Sequence, residues 1–344
     1  MGVRTTQRID YLDVLRGIAT ILVIFIHVSS SNWYGYIGST NWYFFSFYES
    51  ISRFAVPIFF MISGAMLLSP EKEITFPYIF KKIFRMIIFL IFWELMYALF
   101  NQRTSGFDFS NIIQKIWEGN TQAHLWFVYS IIGLYLVTPV LKIFTKEASK
   151  KLFYYFLLLC FLLEALSNFQ IPHLSFIKVY MNKINSCAFL GGGYIGYYVL
   201  GTFLDRYDIF VKKKFYLYAL GILCSLLTFC LLVYDCVSTQ TLSQKFLIYN
   251  SPLIVITSTA FFVFIKNNTY KNILSEIIKK ISYKSFGIYA IHQIFITILS
   301  ECGFSTFSFT GILSVPVIVA VVLSISYVSV TLISKIPILK KYIV

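Results

Sequence analysis

The chain has 344 residues and a formal net charge of +14, with 58% apolar, 19% aromatic and only 13% charged residues. A soluble domain carries about 25% charged and 45–50% apolar residues, so this balance excludes an ordinary water-soluble protein. The positive charge does not argue for a nucleic-acid partner, because the basic residues fall between apolar runs, where membrane topology demands them.

The first segment sets Arg4, Arg8 and Arg16 before an apolar stretch from Ile18 to Val28, which resembles a signal peptide in outline. Asp10 and Asp13 are unusual in such a leader and no A-x-A site follows, so the segment reads as a retained first helix. Apolar runs follow at 46–69, 77–101, 124–144, 150–167, 184–204, 214–234, 245–266, 282–301 and 310–334. With 12–30 they predict about ten spans of the roughly 20 residues that a bilayer requires. The longest outer connection, 102–123, carries Trp117 and is expected to rest on the membrane interface. Gly191-Gly192-Gly193 follows no strand and opens a helix, so it reads as a packing element rather than a phosphate loop.

Lysine and arginine alternate between successive gaps, with twenty-two on one side, five on the other, and Arg16 and Arg53 inside spans. The rich side is expected to be cytoplasmic, which puts the N and C termini there. The expected fold is all-α: a polytopic transmembrane helical bundle forming a single integral-membrane domain over 1–344. The six cysteines show neither a C-x-x-C pair nor His/Cys metal spacing. The four histidines, His27, His124, His173 and His292, lie on different segments, so no metal site is expected.

A charge at mid-membrane costs about 2.5–3.5 kcal/mol on insertion scales, so polar residues inside spans mark the places to examine. Arg16 and His27 are eleven residues apart, which sets both on one helix face about 16 Å apart along the axis. The outer half adds Arg53, Glu94, His124, Trp126 and Glu164, and His292 falls mid-span. If these face a common interior they form a polar chamber, with Glu94 or Glu164 as partner of His27. Blander roles stand beside these: Arg16 as a positive-inside anchor, Arg53 ion-paired to a glutamate, His27 as an interhelical hydrogen-bonding group.

The chemistry sharpens the reading. A neutral imidazole can take the proton of a hydroxyl attacking an acyl carbonyl, and a carboxylate on its other nitrogen would fix the tautomer. Lys82 and Arg85, spaced i, i+3, share a face at the cytoplasmic start of the third span and suit the phosphates of an acyl carrier.

Arg8-Ile9-Asp10-Tyr11-Leu12-Asp13-Val14-Leu15-Arg16-Gly17, followed by His27, resembles the first-helix signature of the acyltransferase-3 family of bacterial membrane acyltransferases. Lys82-Ile83-Phe84-Arg85 is similar to its R-x-x-R motif, with lysine in the first position. His124-Leu125-Trp126-Phe127 with Gly133, Leu134, Tyr135 and Pro139, and Ser285-Phe286-Gly287-Ile288-Tyr289-Ala290-Ile291-His292, resemble later motifs. The resemblance spans most of the chain and implies the membrane-only type, in the bacterial inner membrane.

It also implies transfer of acetyl from acetyl-CoA to a hydroxyl of a cell-envelope glycan or lipid-linked acceptor. His27 would be the catalytic residue, with Arg16, Lys82 and Arg85 near the CoA; Glu94 or Glu164 beside it is what the intramembrane residues themselves suggest. Arg53, His124, Trp126 and His292 are then candidates for acceptor binding. The rivals are a transporter of a polysaccharide precursor or small solute, for which intramembrane His, Arg and Glu also serve, and a non-catalytic scaffold.

Overall fold

The structure, a computed structural model, describes residues 2–104, 106, 108–119, 121–168, 194–209, 213–268 and 272–343. Its helices are α1 (Gly2–Ser30), α2 (Thr40–Ser52), α3 (Ala55–Leu67), α4 (Phe76–Gln102), α5 (Phe109–Glu118), α6 (Trp126–Glu147) and α7 (Lys150–Asn168). They continue as α8 (Tyr194–Arg206), α9 (Lys214–Thr239), α10 (Pro252–Asn268), α11 (Ile273–Tyr283), α12 (Ser285–Glu301), α13 (Gly311–Ile333) and α14 (Pro337–Tyr342). Short 3-10 turns at Ala123–Leu125 and Lys245–Leu247 precede α6 and α10. The Gly191–Gly193 run, His173 and Cys187 lie outside the described residues.

Among the described residues the architecture is all-helical, which suits a chain in lipid, since a helix satisfies its own backbone. The surface fits that solvent. Along α4, Phe80, Phe84, Ile87, Ile91 and Leu95 form an exposed apolar stripe, while Leu90, Trp93 and Tyr97 turn inward. A helix apolar on both faces belongs inside a bilayer. Seven segments are long and apolar enough to cross one: Asp10–Ser30, Thr40–Leu67, Phe76–Gln102, Ala123–Glu147, Lys214–Thr239, Lys245–Asn268 and Gly311–Ile333.

The expected count of ten therefore exceeds the spans that the described residues provide. Of the other three, α7 carries Lys150, Lys151 and Glu164 in 19 residues, and α8 and α12 have 13 and 17 residues. Part of the expected 184–204 span precedes the described start of α8. The expected single helix over 46–69 is broken between α2 and α3 at Arg53 and Phe54. Pro57 explains the break: it has no N–H for the carbonyl of Arg53, and its ring would meet that carbonyl in a continuous helix. The connection 102–123 contains α5, a helix that carries Trp117.

Two close approaches organise the interior around the second span. A Cβ on Gly64 would lie 1.7 Å from the carbonyl oxygen of Tyr198, and one on Gly201 would lie 1.9 Å from that of Met61. The backbones of α3 and α8 thus touch at both glycines, the small-residue contact by which helices associate in lipid. α11, which falls almost wholly in the gap between the expected spans 245–266 and 282–301, lies against α1. It starts with a capping box between Asn272 and Ser275, and Gly17 of α1 accommodates the Ile278 carbonyl. Lys279 pairs with Asp10 at 3.1 Å, and the Ser282 hydroxyl donates to Asp13 at 3.2 Å. At the other end of the chain, the Trp93 indole donates to the Ile343 carbonyl at 3.3 Å and holds the C-terminus against α4.

Candidate active site

A chamber of about 430 Å³ opens between α1, α3, α4, α6 and α12, within the size range of small-molecule sites. Its basic end is lined by Arg16, Lys72, Lys82 and Arg85. α1 holds Arg16 with its own carboxylate, Asp13, at 3.1 Å, and the guanidinium also reaches the Met66 sulfur at 2.9 Å. Asp13 is itself fixed by Ser282, so α11 helps set the position of Arg16. The Lys82 ammonium lies over the rings of Tyr78 and Tyr135, at 5.3 and 5.8 Å from their centroids. The face shared by Lys82 and Arg85 thus meets the face of α1 that carries Arg16.

The same cavity reaches His27 and His124 at its other end. The arrangement along α1 follows from helical spacing: one face presents a cation at the mouth and an imidazole three turns deeper. His124 sits in the 3-10 turn before α6, packed against Tyr97 with ring centroids 5.2 Å apart. The Tyr289 hydroxyl donates to the His124 carbonyl, and the Tyr97 hydroxyl donates to that of Ala290 at 2.6 Å. His292 stands fully buried behind these residues, outside the cavity lining. Three of the four histidines nevertheless converge, with centroids at 5.0 Å for His27–His292, 5.3 Å for His124–His292 and 5.9 Å for His27–His124. The sequence offered them as candidates for one polar chamber without showing that they meet; helix packing brings them together.

Trp126 lines the chamber beside Tyr249, their ring centroids 5.7 Å apart. Arg53 lies behind that wall, its guanidinium 4.4 Å from the centre of the Tyr249 ring. It is paired with Glu49 at 2.6 Å and donates to the Leu247 carbonyl at 2.7 Å, and Glu49 also accepts from the Ser29 hydroxyl at 3.3 Å. The i, i+4 spacing of Glu49 and Arg53 was the available signal for this pair.

The two carboxylates considered as partners of His27 have other placements. Glu94 is buried and accepts from the backbone and hydroxyl of Thr121 and from Tyr129 at 3.2 Å, anchoring the connection that leads to His124. Glu164 is buried on α7, within electrostatic reach of Tyr194 and Cys160. Neither lines the chamber, and among the described residues no carboxylate does. Among the described residues, moreover, no group of His, Cys, Asp and Glu is arranged to hold a metal ion. The chamber thus joins a mouth lined by cations to imidazole rings in a largely apolar wall.

The model of a family described as “Acyltransferase domain”, of type 3, matches residues 9–331 of the chain. No curated protein and no solved structure matches it.

Proposed function

From the premise that the chain belongs to the acyltransferase-3 family, we propose that this membrane acyltransferase is an O-acetyltransferase of the bacterial inner membrane. It moves acetyl from cytoplasmic acetyl-CoA to a hydroxyl of a cell-envelope carbohydrate or related acceptor. The observation that supports this most is the continuity of one cavity from Arg16, Lys82 and Arg85 to His27. The cations suit the phosphates of the CoA at the cytoplasmic mouth, where charge-assisted contacts hold them. The thioester then lies deeper, beside the imidazole.

His27 takes the proton of the acceptor hydroxyl as its oxygen attacks the acetyl carbonyl. A C–O bond forms and the C–S bond breaks. The proton on His27 passes to the departing thiolate, so the products are the acetyl ester and CoA-SH. Trp126 and Tyr249 offer a flat wall for the acceptor, and Arg53 fixes Tyr249 from behind.

The test is release of free thiol from acetyl-CoA by the purified protein in lipid nanodiscs, with CoA binding measured in the same preparation. His27→Ala is expected to lower the rate by at least about a hundredfold, the scale of a lost general base. Arg16→Ala is expected to raise the KM for acetyl-CoA. A wild type that neither binds nor cleaves acetyl-CoA would overturn the reading and leave solute flux without acyl-CoA as the activity to seek.

A further inference from the structure

The chamber lacks the carboxylate that would orient a catalytic imidazole, yet a neutral imidazole must have one nitrogen facing the acceptor and its other N–H held. His292 supplies an acceptor in the required place. Its Nδ1 lies 2.7 Å from the Tyr289 carbonyl oxygen, and because a carbonyl only accepts, Nδ1 must carry the hydrogen. Nε2 of the neutral ring then carries the lone pair. That atom is fully buried and has no protein partner, and leaving a buried polar atom unmet is destabilising.

Two rings adjoin it. His124 lies with its centroid 5.3 Å from that of His292, and its own two ring nitrogens are buried without a partner. His27 is nearer, at 5.0 Å between centroids, a spacing that a small rotation of either ring or one bridging water closes to a hydrogen bond, and it is the ring that carries the proposed chemistry. The other titratable groups nearby are engaged elsewhere. Tyr97 donates to Ala290 and Tyr289 to His124, while Tyr327, the one titratable residue of α13, lies against Lys284.

We propose that His292 is the positioning residue of the site: its Nε2 accepts the N–H of His27, which turns the other nitrogen of His27 toward the chamber. The chain Tyr289 carbonyl, His292, His27 then does the orienting work that a carboxylate does in a triad, without a buried negative charge. This rests on His27 being the base, but the hydrogen bond itself can be observed without turnover. His292 carries no group in the reaction; the proton that His27 takes from the acceptor stays on His27 until it passes to the thiolate.

The test uses nitrogen-15 spectra of the histidine rings, taken on the full protein in nanodiscs. The His292 Nε2 resonance is expected to move when His27 is replaced by alanine, and to keep its position in His124→Ala. An unmoved resonance in His27→Ala, or one that moves only in His124→Ala, overturns the pairing whatever the enzyme assay gives. In turnover, His292→Ala is expected to lower kcat about tenfold to a hundredfold, with the KM for acetyl-CoA within about twofold. His292→Gln, whose carbonyl can still accept, should recover part of the loss. Equal loss in both variants, with kcat and KM changing together, would mean that His292 only fills space. If the resonance moves while the wild type neither binds nor cleaves acetyl-CoA, the acyl-transfer reading falls and the pairing stands.

Discussion

Glu49 and Arg53 form a buried pair in which each charge depends on the other. Removing one partner of such a pair leaves an uncompensated charge and costs about 3–5 kcal/mol. Glu49→Ala should therefore lower the thermal unfolding midpoint of the protein in nanodiscs clearly, and the double variant Glu49→Ala/Arg53→Met should recover most of the loss. A double variant no better than the single one would show that the contacts of Arg53 with Leu247 and Tyr249, not the ion pair, carry the effect. At this scale the sequence was informative wherever one helix fixes the geometry. Arg16 and His27 share a face of α1, and Lys82 and Arg85 share one of α4, because helical spacing alone decides that. Residues on different helices were another matter. Glu94 and Glu164 could each be placed on a helix, but the direction each faces could not be read, and both turn to partners outside the chamber. The meeting of His27, His124 and His292 depends on how three distant segments pack, which no local pattern encodes.

At the scale of the helices, the contact of α3 with α8 is the least tolerant of change. Gly201→Leu would drive a side chain into the Met61 backbone, and overpacking of this kind costs about 1–3 kcal/mol or more. Because α3 also lines the chamber, the variant should lose both thermal stability and CoA binding. Gly133→Ala, on α6 with open space around it, should change neither. A stable, fully active Gly201→Leu protein would refute the close contact. The spans with unbroken apolar runs, such as α4 and α13, were legible from hydropathy. The break before α3 had its signal in Pro57, which a hydropathy window averages away because its neighbours are strongly apolar. α11 was read as part of a connection for a different reason: Glu276, Lys279 and Lys280 within its 11 residues hide an amphipathic helix from a search for long apolar runs.

At the scale of the whole molecule, the orientation expected from the alternation of basic residues can be checked with a residue already present. Cys302 follows α12, is an exposed free thiol, and falls at the end that carries few cations, near the ion pair of Arg103 with Glu301. An impermeant maleimide added to intact spheroplasts should modify Cys302, as read by mass spectrometry of the digested protein. Protection in spheroplasts with labelling only after lysis would invert the proposed orientation. The pairing of Glu49 with Arg53 also bears on how the chain enters the bilayer. Both residues belong to a single span, one turn apart, so that segment brings its own counter-ion into the translocon. A lone arginine there would have to wait at the lateral gate for a later helix to neutralise it. With the glutamate one turn earlier, the second span can leave for lipid as a neutral unit, before the helices that finally enclose it have been synthesised.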